Sequence, residues 1–359
     1  MPVFGDSCEI MSLDLIRHPP DMEEVLWDVL RQVPAGCVTT YGRLAEALGD
    51  RVAARWVGHV LLHHDHQPDC CCYRVVRAGG EAGGYVTGQQ ADKIQALSAD
   101  GIEVVDGHVS LDRHLTPVAC AQPPLATLRQ LQEALAERFS PQPPDHRPET
   151  VGAVDVSYAS SGMAVAAYGL FQIDHSAASA GAADDQAVWS TTLRRPVRFP
   201  YITSYLAFRE LPVLLELIDQ VRKAGRLADV VLVDGSGILH PRRAGIATML
   251  GIVAELPTIG VTKKRLSGTV DLDGFRAGQL RPVWVDGRQL GWALRPGSGS
   301  RKPLFISPGH RASIASCHEL FTSMREAWCA RRLPAPIHFV DRLSRRAAGP
   351  RGGQPVSAG

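Results

Sequence analysis

No run of this sequence is long and apolar enough to span a bilayer, which sets aside an integral membrane helix. Its N-terminus, Met-Pro-Val-Phe-Gly-Asp-Ser-Cys-Glu, lacks the charged and apolar regions of a secretory signal. Net charge is almost absent, because 38 Lys and Arg stand against 37 Asp and Glu. Any surface for a polyanion must therefore be a local patch. A disulfide framework is missing too: the 8 cysteines are scattered, apart from Cys70, Cys71 and Cys72 in a row, and none forms a CxxC pair. There is no internal repeat. These absences lead us to expect a reduced, cytoplasmic, monomeric protein.

What is present is ordinary globular composition, 45% hydrophobic and 21% charged over 359 residues, long enough for two cores. The reading divides the chain into a weakly ordered lead-in (1–20), a compact unit (21–115), a linker (116–123), a second domain (124–345) and a disordered tail (346–359). In the compact unit, Asp21 is placed to cap a helix carrying Val25, Leu26, Trp27, Leu30 and Val33, stopped by Pro34-Ala35-Gly36. Thr39 or Thr40 caps a short helix ended by Gly49, and another follows from about Arg51 to Leu62. Two short helices across a tight turn fit a helix-turn-helix. A further helical piece begins at Lys93.

The second domain opens with a helix near Leu125–Arg138, then three strand-like runs: Val151–Ser157, Met163–Ile173 and Ala187–Val197. Asp174–Gln186 reads as a polar loop insertion between the last two. A helix over Ser204–Ala224, a buried strand Val230–Val233, a helix near Arg243–Leu256 and a strand Thr258–Thr262 follow. Antiparallel strands first and βαβ units afterwards argue for an α/β fold with a mixed sheet.

Four stretches of this domain each set one metal-type ligand beside strand- or turn-forming residues: Asp155, Glu210, Asp234 and His310. Carboxylates in or just after apolar runs are costly to bury unless a cation offsets them. Hard Mg2+ prefers such oxygens. A cluster of this kind suits metal-assisted phosphodiester hydrolysis. Asp234 ends a parallel-type strand, where catalytic groups of open α/β sheets gather. Pro308-Gly309 reads as a turn presenting His310 beside the metal. The bland alternative makes Asp155 and Asp234 strand-end solubility residues and His310 a core histidine.

Seven motifs in order resemble the endonuclease V family: Asp155-Val156-Ser157-Tyr158, Pro200-Tyr201-Ile202, Phe208-Arg209-Glu210-Leu211-Pro212, Val233-Asp234-Gly235, His240-Pro241-Arg242-Arg243, Gly260-Val261-Thr262-Lys263 and Ser307-Pro308-Gly309-His310. Asp341-Arg342-Leu343-Ser344-Arg345 extends the likeness. The resemblance implies a ribonuclease-H-like fold that recognises deaminated adenine and nicks the strand one nucleotide beyond it, on the 3′ side, with Mg2+ or Mn2+. It makes Asp155, Glu210 and Asp234 metal ligands, and His310 a helper near the phosphate or a second metal. Lys263 would steady the scissile phosphate, His240 line the lesion pocket, and Pro200-Tyr201-Ile202 act as the wedge filling the place of an extruded base. Two departures stand out. The wedge continues with Thr203-Ser204 in place of Pro-Gly, and Gly235-Ser236-Gly237 replaces Gly-His-Gly.

The compact unit resembles the DNA-binding domain of O6-alkylguanine-DNA alkyltransferases and the alkyltransferase-like proteins. The likeness rests on Trp27-Asp28-Val29-Leu30-Arg31, Val33-Pro34-Ala35-Gly36, Thr39 to Ala45, Ala53 to Gly58, Cys72-Tyr73-Arg74-Val75-Val76, Gly83-Gly84-Tyr85 and Ala99-Asp100-Gly101. A winged helix-turn-helix follows from it. Arg55 would be the finger that fills the stack, and Tyr41 would press on the phosphate to rotate the nucleotide. The family's Pro-Cys-His-Arg reads Cys71-Cys72-Tyr73-Arg74, so Cys72 keeps the acceptor thiol while Tyr73, with a pKa near ~10, is a poor base. The Glu that orients the family's histidine appears as Asp100. Whether Cys72 accepts alkyl groups or the unit only binds O6-alkylguanine stays open at this point. His63, His64 and His66 beside the cysteine triplet suggest a zinc site, but only Cys70 and Cys72 can share a face of an extended strand and no CxxC pair is present, so solvated histidines and partly buried thiols are expected. The whole reads as a DNA-repair protein acting on damaged DNA. The rivals are an endoribonuclease for inosine in RNA and a lesion-binding protein with a silent nuclease.

Overall fold

A computed structural model describes residues 13–67, 69–173, 187–297, 302–323 and 332–349. By contact it divides into two units: Pro19–Gln130 with Arg198–Tyr205, and the remaining described residues.

The first of these starts with helix α1 (Met22–Leu30). The Asp21 carboxylate accepts hydrogen bonds from the Glu23 and Glu24 amides, which leaves fewer orphan donors at the helix start. Met22, Leu26, Val29 and Leu30 form its buried face. Strand β1 (Thr39–Thr40) leads into α2 (Tyr41–Ala47), whose N-cap is the Thr40 hydroxyl accepting from Arg43 N. A 3-10 turn at Arg51–Ala53 runs into α3 (Ala54–His63), completing the helix-turn-helix. A second 3-10 turn, Cys72–Arg74, precedes β2 (Val75–Val76), which pairs in parallel with β1. Helix α4 (Gln90–Ala99), the hairpin β3 (Val104–Val105) and β4 (His108–Val109), and the short α5 (Leu111–His114) close the unit, the hairpin supplying the wing. Val38, Val76, Ala82, Leu97, Ile102 and Val109 form the core beneath it. Residues 116–123 are tied by backbone bonds, Thr116 N to Val38 O, and by Ala119 N to the Gln32 amide oxygen.

Helix α6 (Pro124–Glu137) buries Leu125, Leu128, Leu131 and Leu135 at three- and four-residue spacing. In the other unit lie β5 (Thr150–Tyr158), β6 (Met163–Gln172), β7 (Trp189–Pro196), α7 (Leu206–Lys223), β8 (Val230–Asp234), α8 (Ile246–Ala254), β9 (Thr258–Thr262), β10 (Leu280–Val285), β11 (Arg288–Leu294), β12 (Leu304–His310), α9 (Ile314–Ser323) and α10 (Ala335–Ala348). They build one sheet of order β10-β11-β12-β9-β8-β5-β6-β7. Its centre, β9-β8-β5, is parallel, and the flanking pairs are antiparallel. The run Val230-Val231-Leu232-Val233 is buried throughout, as a central parallel strand covered on both faces must be. One face packs under α10, where Val151, Ala153, Leu232, Ile337 and Val340 share a core. Helices α7 and α8 pack together, with α7 also lying on β6.

Several expectations change here. Within the lead-in, residues 13–17 are helical and Ile16 is fully buried. Asp174–Gln186 and the last ten positions lie outside the described residues, while the start of the expected tail is the end of α10. Pro308-Gly309 is not a turn but part of β12. The hairpin of β10 and β11 has its signal in Asp286-Gly287, both with positive φ, a pair the sequence reading leaves unused.

Gly237 shows why Gly235-Ser236-Gly237 follows β8. A Cβ at this position would lie 2.0 Å from Pro308 O, and Gly237 N donates to the Ser307 hydroxyl at 3.0 Å. The motif around Pro308 is thus the floor against which this loop packs. We expect Gly237→Ala to lower unfolding free energy by more than about 3 kcal/mol, as a steric insertion into packed backbone does. Gly162→Ala, at φ +75° with nothing within 4 Å, should cost only about 1 kcal/mol. Urea denaturation of both variants checks the contrast.

Candidate active site

Strands β5 and β8 run parallel with Val154 opposite Val233, so Asp155 and Asp234, each one residue further on, come level on neighbouring strands. Residues level on parallel strands face the same way. Two residues earlier, Ala153 and Leu232 sit in the core under α10, so the two carboxylates extend that face beyond the core. Helix α10 answers them with Ser344 and Asp341, one turn apart. The Ser344 hydroxyl donates to Asp155 Oδ2 at 2.6 Å, and Ser157 Oγ lies 2.8 Å from that hydroxyl. Glu210, in the second turn of α7, is 7% exposed and accepts from Tyr158 OH at 3.0 Å. The Arg209 guanidinium lies 4.4 Å above the Tyr158 ring. Lys263, directly after β9, donates to Asp234 Oδ2 at 3.2 Å and stands 3.9 Å from Asp341 Oδ1, which also pairs with Arg345 at 2.8 Å.

Burial and mutual repulsion set the charge state of this group. Burial, then the neighbouring Asp234 charge, pushes Asp155 up to about 6. Burial, then Asp155, pushes Glu210 up to about 8. Asp234 is also raised by burial, although Lys263 pulls against it. Desolvated oxygens that repel one another, with one nearby lysine, are the donor set of a hard divalent cation. The residues therefore fit the cation implied by the sequence: Asp155, Glu210 and Asp234 would hold it, with Asp341 a further carboxylate at the same place. Sequence reasoning gave Asp341 no role. Its only signal is a place one turn before Ser344 in the final motif.

His310 is a correction. It stands opposite Thr258, and Thr258 opposite Val231, whereas Asp234 pairs with Val261. That puts His310 at the start of β8, roughly 10 Å along the strands and roughly 10 Å across them from Asp234. Its Nδ1 accepts from Ser140 N at 3.3 Å, and burial, then Arg311 and Arg138, lower its pKa. The structure does not bring His310 to the acids. Gly309 explains its motif instead, because a Cβ there would meet Thr258 Oγ1 at 2.3 Å and Ala247 O at 2.8 Å.

Of the remaining expected residues, His240 is buried and its Nδ1 accepts from Arg242 N at 3.2 Å. In the wedge, Tyr201 is 60% exposed while Ile202 is buried, so the tyrosine protrudes and the isoleucine anchors. Pro200 is half-buried. Ser204, in the position of the family's glycine, holds φ at 66° and thereby keeps the turn.

In the first unit Arg55 is exposed on α3 and Tyr41 half-buried at the start of α2. Lys93, missed by sequence reasoning, is fully buried and donates to Val75 O at 2.6 Å, Gly84 O at 3.2 Å and Tyr41 OH at 3.5 Å. Burial brings its pKa down to about 8. Cys72 is 3% exposed, and its hydrogen-bonded neighbour Cys70, followed by burial, pushes the thiol up. The Asp100 carboxylate takes Arg74 through Nε at 2.7 Å and Nη2 at 3.0 Å, and Arg74 Nη2 also donates to Tyr73 OH at 3.0 Å.

The raised carboxylates carry a pH dependence. An acid whose folded pKa exceeds its unfolded value weakens the fold as it ionises. Stability is thus lost as pH rises from about 4, to about 6 for Asp155 and about 8 for Glu210. In chelator, the melting temperature should fall from about pH 5 to about pH 8. Glu210→Gln should remove most of that fall. Calorimetry across the range is the check, and a flat profile in both proteins contradicts the buried-acid account.

Residues 133–342 match the family described as Endonuclease V, and residues 21–102 the family described as 6-O-methylguanine DNA methyltransferase, DNA binding domain. A bifunctional methyltransferase/endonuclease of Picrophilus torridus is 34% identical over 82% of this chain and 88% of its own. Its counterpart in Thermoplasma volcanium is 31% identical over 90% of each. An endonuclease V of Xylella fastidiosa is 37% identical over 61% of this chain and 86% of its own. Among solved structures, the catalytic domain of human endonuclease V matches with a TM-score of 0.55 at 29% identity, covering 64% of this chain and 97% of that one. Ciona intestinalis endonuclease V, in complex with a DNA containing an inosine followed by a ribo-adenosine, has the same fold, with a TM-score of 0.54 at 24% identity over 63% of this chain and 98% of that one. The chain belongs to the endonuclease V family, a DNA-repair endonuclease preceded by a DNA-binding domain of the methylguanine methyltransferase type.

Proposed function

We propose that the nuclease unit nicks DNA one nucleotide to the 3′ side of deoxyinosine, leaving 3′-hydroxyl and 5′-phosphate ends, with Mg2+ or Mn2+ as cofactor. The observation that carries this is the level placement of Asp155 and Asp234 on one face, joined by Glu210 and Asp341 and short of positive charge. When bound, such a cation lowers the pKa of water and stabilises the leaving oxygen. The chain's own residues do the rest. Tyr158 and Ser344 orient Glu210 and Asp155 through hydrogen bonds. Lys263, paired with Asp234 and within 4 Å of Asp341, is freed for a phosphate oxygen once those acids are neutralised. Exposed Tyr201 supplies the apolar plane that takes the place of an extruded base. In this reading His240, which is buried, lines the lesion pocket.

For the first unit we propose binding to O6-alkylguanine DNA without transfer. Three features support this: Cys72 is 3% exposed, Tyr73 occupies the place of the base, and Asp100 is held by Arg74.

Nicking of a duplex carrying a single deoxyinosine, against one carrying deoxyadenosine, tests the first reading. The same inosine in an RNA strand separates it from a ribonuclease. Asp341→Asn should lower nicking more than about a hundredfold, beyond the loss expected for an outer-shell partner, while His310→Ala should cost less than about tenfold. The reverse order would place the site at His310. For the first unit, intact mass after incubation with O6-methylguanine duplex should show no methyl gain, beside retarded migration of that duplex. A methyl on Cys72 would make this unit a transferase.

A further inference from the structure

At the level of sequence a zinc reading of His64, His66 and the cysteine triplet is set aside, because no CxxC pair marks them. The backbone nevertheless brings them together. Cys71 has φ −89° and ψ 21°, and a 3-10 turn starts at Cys72. Cys71 turns its thiol away, 3.7 Å from Leu30 O, while Cys70 and Cys72 face a common point. Helix α3 ends at His63, and His64 leaves it in extended backbone, so His64 and His66 alternate onto the same side.

The ligand atoms of His64, His66, Cys70 and Cys72 all lie within 4.8 Å of one another. Cys70 Sγ is 3.3 Å from His64 Nε2, Cys72 Sγ is 3.6 Å from His66 Nδ1, and the two ring nitrogens are 3.4 Å apart. A tetrahedron with metal–nitrogen bonds of ~2.0 Å and metal–sulfur bonds of ~2.3 Å has edges of about 3.3 Å between nitrogens and about 3.6 Å between nitrogen and sulfur. The three separations given lie within about 0.3 Å of those edges.

The surroundings agree. Tyr85 OH lies 3.4 Å from His66 Nε2, the nitrogen turned away from the cluster, and so stands where an outer partner fixes the tautomer of a ligating imidazole. The His64 ring is held against Trp27, with centroids 4.9 Å apart. Its Nδ1 is buried without a hydrogen-bond partner among the described residues, so the ring's polar engagement is through Nε2 at the cluster.

We propose that His64, His66, Cys70 and Cys72 form a Cys2His2 site for a tetrahedral zinc-type cation. Two thiolates and two imidazoles select a borderline-soft ion, unlike the all-oxygen carboxylate group of the nuclease unit. The ion clamps the segment leaving α3, the helix that carries Arg55, to the turn before β2. It also gives Cys72 a role other than alkyl acceptance: the cysteine is retained as a ligand.

The test uses the full chain, purified reduced and without chelator. Zinc analysis should find one tightly held equivalent, released when a mercurial reagent modifies the thiols. After removal of zinc, Co2+ should give a thiolate-to-cobalt charge-transfer band together with the intense visible bands of tetrahedral cobalt, both displaced by Zn2+. The carboxylate group cannot produce the charge-transfer band, and Asp155→Asn with Asp234→Asn should leave it intact. Cys70→Ser and His64→Ala should each abolish or strongly weaken it, while Cys71→Ser, whose thiol points away, should retain it. If reduced wild-type protein with all thiols titratable shows no charge-transfer band, the site does not exist, whatever the variants do. A band that survives Cys70→Ser but is lost in Cys71→Ser would overturn the assigned ligands.

Discussion

The nuclease unit is organised around the problem of burying carboxylates beside one another. Asp155 and Asp234 are carried to one point by the parallel pairing of β5 and β8, and that pairing is fixed by an unbroken apolar run that has nowhere else to go. Once the strands are in register, the acids must lie level. Everything near them then answers the resulting charge: Tyr158 and Ser344 as donors, Lys263 as the close cation, and Arg345 holding Asp341 from within its own helix. The high proton affinity of Glu210 and Asp155 measures how incompletely these groups succeed. A site left under-neutralised by its own protein is one prepared for a cation from outside.

What could be read from sequence was local chemistry set in periodic strands. Asp155, Glu210 and Asp234 announce themselves because a carboxylate stands in or beside an apolar pattern, while Lys263 was marked only by the resemblance. Asp341 was illegible for the opposite reason. It lies on an amphipathic helix among arginines, where a carboxylate is ordinary, and only the packing of α10 across the sheet gives it meaning. His310 was misread because Pro-Gly usually turns a chain. Here the glycine is demanded by the closeness of Thr258 and Ala247, and the strand continues through it.

The first unit shows the same division. Its helix caps were legible from local sequence, Asp21 outright and the second as Thr39 or Thr40, since such side chains satisfy amides two or three residues away; the structure uses Thr40. The Arg74–Asp100 pair was not legible, because it joins the turn before β2 to the end of α4, two segments distant in the sequence. The histidine and cysteine cluster was passed over for want of a CxxC pair, and only the fold shows the segment leaving α3 brought against the turn before β2.

The acid group also has a history in time. Its members enter the chain at positions from 155 to 341, and Ser344, which steadies the first of them, belongs to the last helix. During synthesis residues 21–115 therefore leave the ribosome well before Asp341 and Ser344 do. The acid group is complete only once α10 packs across β5.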